Sequence, residues 1–65
     1  MNEYDLQVAK ALEMARAKSG LSQEKLAKRL GISKPTVASR ERGTSPVTMA
    51  DIINWCVACS IPARR

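Results

Sequence analysis

The side chains most able to do covalent chemistry in this sequence are two cysteines in a C-x-x-C arrangement, Cys56-Val-Ala-Cys59. A redox pair of this type lies at the start of a helix beside an α/β sheet, which this sequence does not predict. A structural zinc site needs further sulfur or nitrogen ligands, and the chain has no histidine and no other cysteine. Two chains could share such a site, but the pattern favours two reduced thiols packed in the core.

Few groups in the sequence are suited to proton transfer. The absence of histidine removes the commonest general base. We therefore expect no catalytic residues, no bound metal and no cofactor, and we do not expect an enzyme.

The charge of the chain indicates a polyanionic partner. Eleven Lys and Arg stand against six Asp and Glu, which gives a formal net charge of +5. Glu3, Asp5 and Glu13 all precede the stretch from Arg16 to Arg42, in which basic residues greatly outnumber acids. Such a distribution suits nucleic acid, whereas the total alone is also typical of small domains that are charged for solubility.

The length of 65 residues predicts one domain, residues 1–65. No apolar run is long enough to span a membrane, and no basic segment followed by an apolar one suggests a signal peptide. We therefore expect a cytoplasmic protein.

Two short helices with clear boundaries are predicted in the middle of the chain. Ser22 is a good N-cap for a helix over about residues 23–30, and Gly31 can end it in the left-handed conformation. Ser33 is a second N-cap, for a helix over about residues 34–42 that has a proline in its first turn, where the missing N–H is harmless.

This unit, about residues 22–43, has the mechanics of a helix-turn-helix. Ala27 is small where the helices would cross, Ile32 would fill the turn and Val37 would face inward. The spacing alone also fits an αα-hairpin that only serves a core.

Helices are also predicted before and after this unit. The first runs from about Asn2 or Glu3 to Lys18, with Asn2 as a possible cap and an inward stripe of Val8, Ala11, Leu12 and Ala15. The chain ends in a short basic tail, Ala63-Arg64-Arg65, which is expected to fray.

The last predicted helix, about Met49–Cys59, begins with a capping box of Thr48 and Asp51. Its predicted core face consists of Met49, Ile52, Ile53, Cys56 and Ser60. Trp55, Val57 and Cys59 extend the apolar surface beyond that face, so the helix needs a second neighbour. Trp55 could fold back on the first helix, but we interpret Trp55 and Cys59 as candidates for a homodimer surface.

Many positions at fixed spacing form a longer pattern: Arg16-Ala-Lys-Ser-Gly20-Leu21-Ser22-Gln23-Glu24-Lys25-Leu26-Ala27, then Gly31-Ile32-Ser33, then Val37 and Glu41-Arg42-Gly43. With these residues the chain, from about Leu12 to Ile61, resembles the Cro/CI-type (XRE-like) helix-turn-helix family of phage and bacterial transcriptional regulators. The resemblance implies an all-α fold, a compact four- to five-helix bundle of the lambda-repressor-like type.

The resemblance also implies which residues meet DNA. The base-facing positions of the third helix would be Lys34, Pro35, Thr36 and Ser39. Gln23, in the first turn of the second helix, would contact a phosphate, a position where free amides also favour anions. Further candidates for phosphate contacts are Arg42, at the end of the third helix, and Thr44 and Ser45 in the loop that follows.

Arg40 departs from the family pattern, because relatives usually carry a large apolar residue at that place. Its stem can lie on apolar surface while its head reaches water or a phosphate, so it is a further candidate for a phosphate contact. Arg16 and Glu41 match a family ion pair that braces the first helix against the recognition helix, although Arg16 could also be a solvated residue at a helix C-terminus.

These patterns predict a sequence-specific regulator of double-stranded DNA, a Cro-like repressor that acts as a homodimer on an operator. Two other functions remain open. A protein-interaction module would use the apolar last helix, and a non-specific DNA-coating protein would use the positive charge.

Overall fold

The computed structural model describes residues 3–61 of the chain, with side chains from residue 5 onward. Four α-helices follow one another in this part: α1 Glu3–Lys18, α2 Gln23–Leu30, α3 Lys34–Arg42 and α4 Met49–Cys59. The predicted all-α bundle is confirmed. The predicted cap at Asn2 and the tail Ala63-Arg64-Arg65 lie outside the described residues.

Local capping fixes the boundaries of α2 and α3. The Ser22 hydroxyl accepts a hydrogen bond from the Lys25 N–H at 3.0 Å, and the Ser33 hydroxyl accepts one from the Thr36 N–H at 3.3 Å. Gly31 ends α2 with φ of 72°, a left-handed conformation that glycine adopts at little cost. The turn between α2 and α3 is therefore encoded by residues that lie within it.

The two ends of α4 are satisfied in different ways. Thr48 and Asp51 form the predicted capping box, with hydrogen bonds of 3.0 and 3.1 Å. The C-terminal end has no left-handed cap, so its free carbonyls need donors from elsewhere. Ser19 donates to Cys59 O, and Arg29 donates to Ala58 O and Ile61 O.

Arg29 is exposed on α2, and the uncapped end of α4 lies within reach of its guanidinium. Arg29 thus joins α2 to α4.

The core lies where all four helices meet. Its fully buried side chains are Leu26, Val37 and Trp55, with Leu12 and Leu21 almost as deep. The inward stripe of α1 was predicted with Ala11, which is exposed, whereas Ala9 is buried.

α4 is rotated relative to its predicted orientation. Of the predicted core face, Ile52 is half-buried, and Met49, Ile53, Cys56 and Ser60 are exposed. Trp55, Ala58 and Cys59 point inward instead. The reason lies in Trp55, whose indole Nε1–H donates to Leu12 O at 2.9 Å while its rings fill the core.

No helix within residues 3–61 is long and apolar enough to cross a membrane.

Candidate nucleic-acid interface

A bidentate ion pair holds the end of α3 against α1. Arg16 Nε lies 2.6 Å from Glu41 Oε2, and Arg16 Nη2 lies 3.1 Å from Glu41 Oε1. The third nitrogen, Nη1, donates to Leu21 O at 2.7 Å. The two side chains are only 15% and 5% exposed, and the hydrogen bonds to Glu41 raise the pKa of Arg16. The predicted pair is therefore present as a largely buried brace.

Gln23 joins the same cluster from α2. Its Nε2 donates to Glu41 Oε1 at 3.0 Å, so α1, α2 and α3 meet at one carboxylate. An amide nitrogen carries a second N–H besides the one donated to Glu41, and Gln23 is the first residue of α2. The contact with Glu41 thus orients the residue predicted to reach a phosphate.

The first turn of α3 presents the predicted base-facing residues. Lys34 and Pro35 are exposed, and Thr36 is half-buried with its Oγ1 2.8 Å from Ser33 Oγ. Lys34 offers a charged donor, Pro35 has no hydrogen-bonding side chain, and Thr36 offers a hydroxyl beside a methyl.

The loop after α3 folds back onto Ser39. The Thr44 backbone N–H donates to Ser39 O at 2.9 Å, and the Thr44 hydroxyl donates to the same oxygen at 3.2 Å. Ser45 Oγ lies 2.7 Å from Ser39 Oγ. A residue predicted to read a base and two predicted to bind phosphate therefore form one connected unit.

Arg40 and Arg42 leave α3 in different directions. Arg42 is exposed, as a phosphate contact requires. Arg40 is half-buried and faces α4, where its Nη1 lies 3.7 Å from Asp51 Oδ1. At about 100° per residue these two positions lie roughly 160° apart around the helix. The predicted phosphate contact of Arg40 is therefore corrected to a helix–helix contact.

The link between Arg40 and Asp51 is loose. Its separation is beyond hydrogen-bond range, and Arg40 Nε is buried without a hydrogen-bond partner among residues 3–61. The pKa of Asp51 is lowered mainly by the hydrogen bond from the Thr48 backbone N–H, and Arg40 contributes least. Arg40 thus lies against α4 with one buried N–H that makes no hydrogen bond within the described part of the chain.

The two predicted dimer-surface residues lie inside the protein. Trp55 is 0% exposed, and Cys59 is buried beneath α1, where burial raises the pKa of its thiol. Neither side chain is available to a partner, so this prediction was wrong in its residues. Cys56, expected in the core, is exposed.

Within the described part of the chain, no three histidine, cysteine, aspartate or glutamate side chains are grouped closely enough to hold a metal ion.

Sequence reasoning did not find the link between Ser39 and Ser45, nor the role of Gln23 beside Glu41. The only available signals were a serine six residues after Ser39 in a turn-forming loop and a glutamine opening α2.

Residues 12–64 match a family model described as helix-turn-helix. Among solved structures, the chain is similar to the restriction-modification controller protein C.AhdI from Aeromonas hydrophila, with 30% sequence identity and a TM-score of 0.83. That match covers 92% of this chain and 91% of the other. Among proteins of curated function, none matches the sequence. The chain belongs to the XRE-type helix-turn-helix family of DNA-binding transcription regulators.

Proposed function

We propose that this protein is a single-domain, Cro-like repressor in the cytoplasm of a bacterial cell or phage-infected host. It binds an operator by inserting the first turn of α3 into the major groove, and two subunits occupy half-sites about one helical turn apart. Occupation of the operator excludes RNA polymerase. The similarity to a restriction-modification controller supports a role in controlling gene expression.

The observation that carries this proposal is the brace behind α3. Arg16, Glu41 and Gln23 fix the recognition helix from behind, while Lys34 stays exposed at its start. A rigid helix that presents a few polar side chains is what base readout requires. A protein that only coats DNA has no need of this precision.

Lys34→Ala is expected to weaken binding to the preferred operator about tenfold and to relax the choice of base at one position. The reason is that an ammonium donor to guanine O6 or N7 is lost. The measurement is a fluorescence-anisotropy titration of operator duplex and of duplexes with each base replaced in turn.

The matched control is Lys10→Ala, which removes the same charge from the exposed side of α1, where Lys10 lies 3.7 Å from Glu13. It is expected to change affinity less than about twofold and to leave the base preferences intact. Equal losses for both variants on all sequences would favour non-specific coating.

We further propose that a second copy of this chain covers the exposed stripe of α4. Met49, Ile53 and Val57 are 69%, 55% and 60% exposed, at four-residue spacing along one side of the helix. Charged side chains are absent from this stripe, so it suits an apolar surface and not DNA. Two copies that cross about a two-fold axis would bury the same patch on both sides.

Wild-type protein at tens of micromolar is expected to sediment as a dimer, with DNA and without it. Ile53→Glu is expected to shift it to monomer, because two carboxylates would face each other in an apolar contact. Glu24→Gln, a change on the exposed side of α2, is the control and should leave the dimer unchanged. If wild type remained monomeric both with DNA and without it, the proposed dimer would be contradicted. The exposed stripe of α4 would then be a candidate surface for a different protein partner.

A further inference from the structure

The hydroxyl of Ser39 lies within hydrogen-bond distance of two groups of the protein. Ser39 Oγ lies 3.1 Å from Thr36 O and 2.7 Å from Ser45 Oγ. A serine hydroxyl has one hydrogen to donate and two lone pairs that accept. The question is therefore where that one hydrogen goes.

Two arrangements satisfy these distances. In one, Ser39 donates to Thr36 O, the usual back-bond of a helical serine to the preceding turn, and Ser45 donates to Ser39. In the other, Ser39 donates to Ser45, whose own hydrogen is then free for a phosphate. Both arrangements use the Ser39 hydrogen within the protein, and both leave a Ser39 lone pair for a ligand.

We propose that Ser39 acts towards DNA only as a hydrogen-bond acceptor and therefore selects a base that carries an amino group in the major groove. This inference rests on the proposed function, with Ser39 at the base-facing side of α3. The amino groups concerned are N6 of adenine and N4 of cytosine. Guanine O6 and thymine O4 are acceptors and would leave Ser39 without a donor.

The neighbouring residues do not share this restriction. Lys34 can only donate, so it suits guanine O6 and N7. Thr36 Oγ1 and Ser33 Oγ lie 2.8 Å apart, and either hydroxyl can be the donor. Thr36 can therefore act towards a base as a donor or as an acceptor. Ser39 is therefore the position on α3 whose hydrogen-bonding direction is set by the protein itself, through Thr36 O and Ser45.

The proposal has a diagnostic pattern in binding data. In every base pair one base carries the amino group and its partner carries a keto oxygen in the major groove. An acceptor-only contact thus favours duplexes with adenine or cytosine at the contacted position of one strand over duplexes with guanine or thymine there. This division differs from A·T against G·C and from purine against pyrimidine.

The test compares wild type with Ser39→Ala on duplexes in which each operator position carries each of the four bases. At one half-site position, wild type is expected to bind the adenine and cytosine duplexes about fivefold more tightly than the guanine and thymine duplexes. Ser39→Ala is expected to reduce this ratio to less than about twofold, at that position only. Ser60→Ala removes a similar back-bond, to Val57 O at the end of α4, and is the matched control.

A second measurement changes the DNA and not the protein. Where adenine stands at the mapped position, its replacement by unsubstituted purine removes only the amino group; where cytosine stands there, 2-pyrimidinone does the same. Wild type is expected to lose about fivefold in affinity, and Ser39→Ala to lose nothing further. The replacement also removes a Watson–Crick hydrogen bond, so the same replacement at an adenine or cytosine outside the mapped position is the control. With that control, wild type alone reports the contact even if Ser39→Ala folds poorly.

The inference would be overturned if Ser39→Ala abolished the base preference at a position where wild type prefers guanine or thymine. It would also be overturned if wild type showed clear base preferences and Ser39→Ala abolished none of them. An unchanged affinity of wild type for the amino-free base would overturn it as well. A wild type that selects no duplex at all would instead refute the proposed function on which the inference rests.

Discussion

Arg16→Ala is expected to lower the stability of the protein by about 3 kcal/mol, which corresponds to a fall in melting temperature of roughly 10 °C or more. The substitution removes both hydrogen bonds to Glu41 and the one to Leu21 O. It leaves the Glu41 carboxylate, which is 5% exposed, with only the Gln23 amide as a hydrogen-bond donor from a side chain. Thermal melts followed by circular dichroism measure the effect.

Two companion variants separate charge from geometry. Arg16→Lys keeps the charge but not the planar fork, and it is expected to recover only part of the loss. A double variant, Arg16→Met with Glu41→Leu, is expected to melt above Arg16→Ala because no charge is left stranded. Coinciding melts of wild type and Arg16→Ala would mean that the pair is only a surface contact.

Trp55→Ala is expected to cost about 3–5 kcal/mol, since it removes the largest fully buried side chain and leaves a cavity. A domain of this size is stable by only about 3–10 kcal/mol, so much of the variant should be unfolded near 37 °C. Urea titration of wild type and variant by circular dichroism gives the difference in free energy of unfolding.

Trp55→Phe is the matched control, because it keeps most of the volume and loses the hydrogen bond to Leu12 O. It is expected to cost about 1–3 kcal/mol, because the indole hydrogen bond is lost and the smaller ring fills less of the core. Ile53→Ala, on the exposed stripe of α4, is expected to cost less than about 1 kcal/mol under dilute conditions. The reverse order, with Ile53→Ala the more damaging, would mean that α4 is turned as the sequence predicted.

The parts of this fold that could be predicted from the sequence are those decided by neighbouring residues. The caps at Ser22, Ser33 and Thr48 and the turn at Gly31 act within a few residues of their partners. The pairing of Arg16 with Glu41 is a long-range contact, and it was available only through the resemblance to a known family.

The rotation of α4 could not be predicted in the same way. The helix is apolar over much of its circumference, so periodicity did not distinguish its faces. The orientation depends on Trp55 finding Leu12 O, 43 residues earlier in the chain. Arg40 was misplaced for the same reason, because its partner Asp51 lies on α4.

The site shows a similar division. The residue types along α3 predicted which side chains could contact a base. They did not predict which hydrogen bonds the hydroxyl groups of α3 already make within the protein. Ser39 was expected to face a base, and only its distances to Thr36 O and Ser45 Oγ show which groups of the protein its hydroxyl already contacts.

The most direct test of the account is enrichment of bound duplexes from a random DNA pool at near-physiological salt, followed by sequencing. The account predicts an inverted repeat whose half-site centres lie about one helical turn apart. Retention of duplexes without a consensus would contradict specific readout by α3, and no retention even at low salt would contradict the DNA-binding function proposed for this chain.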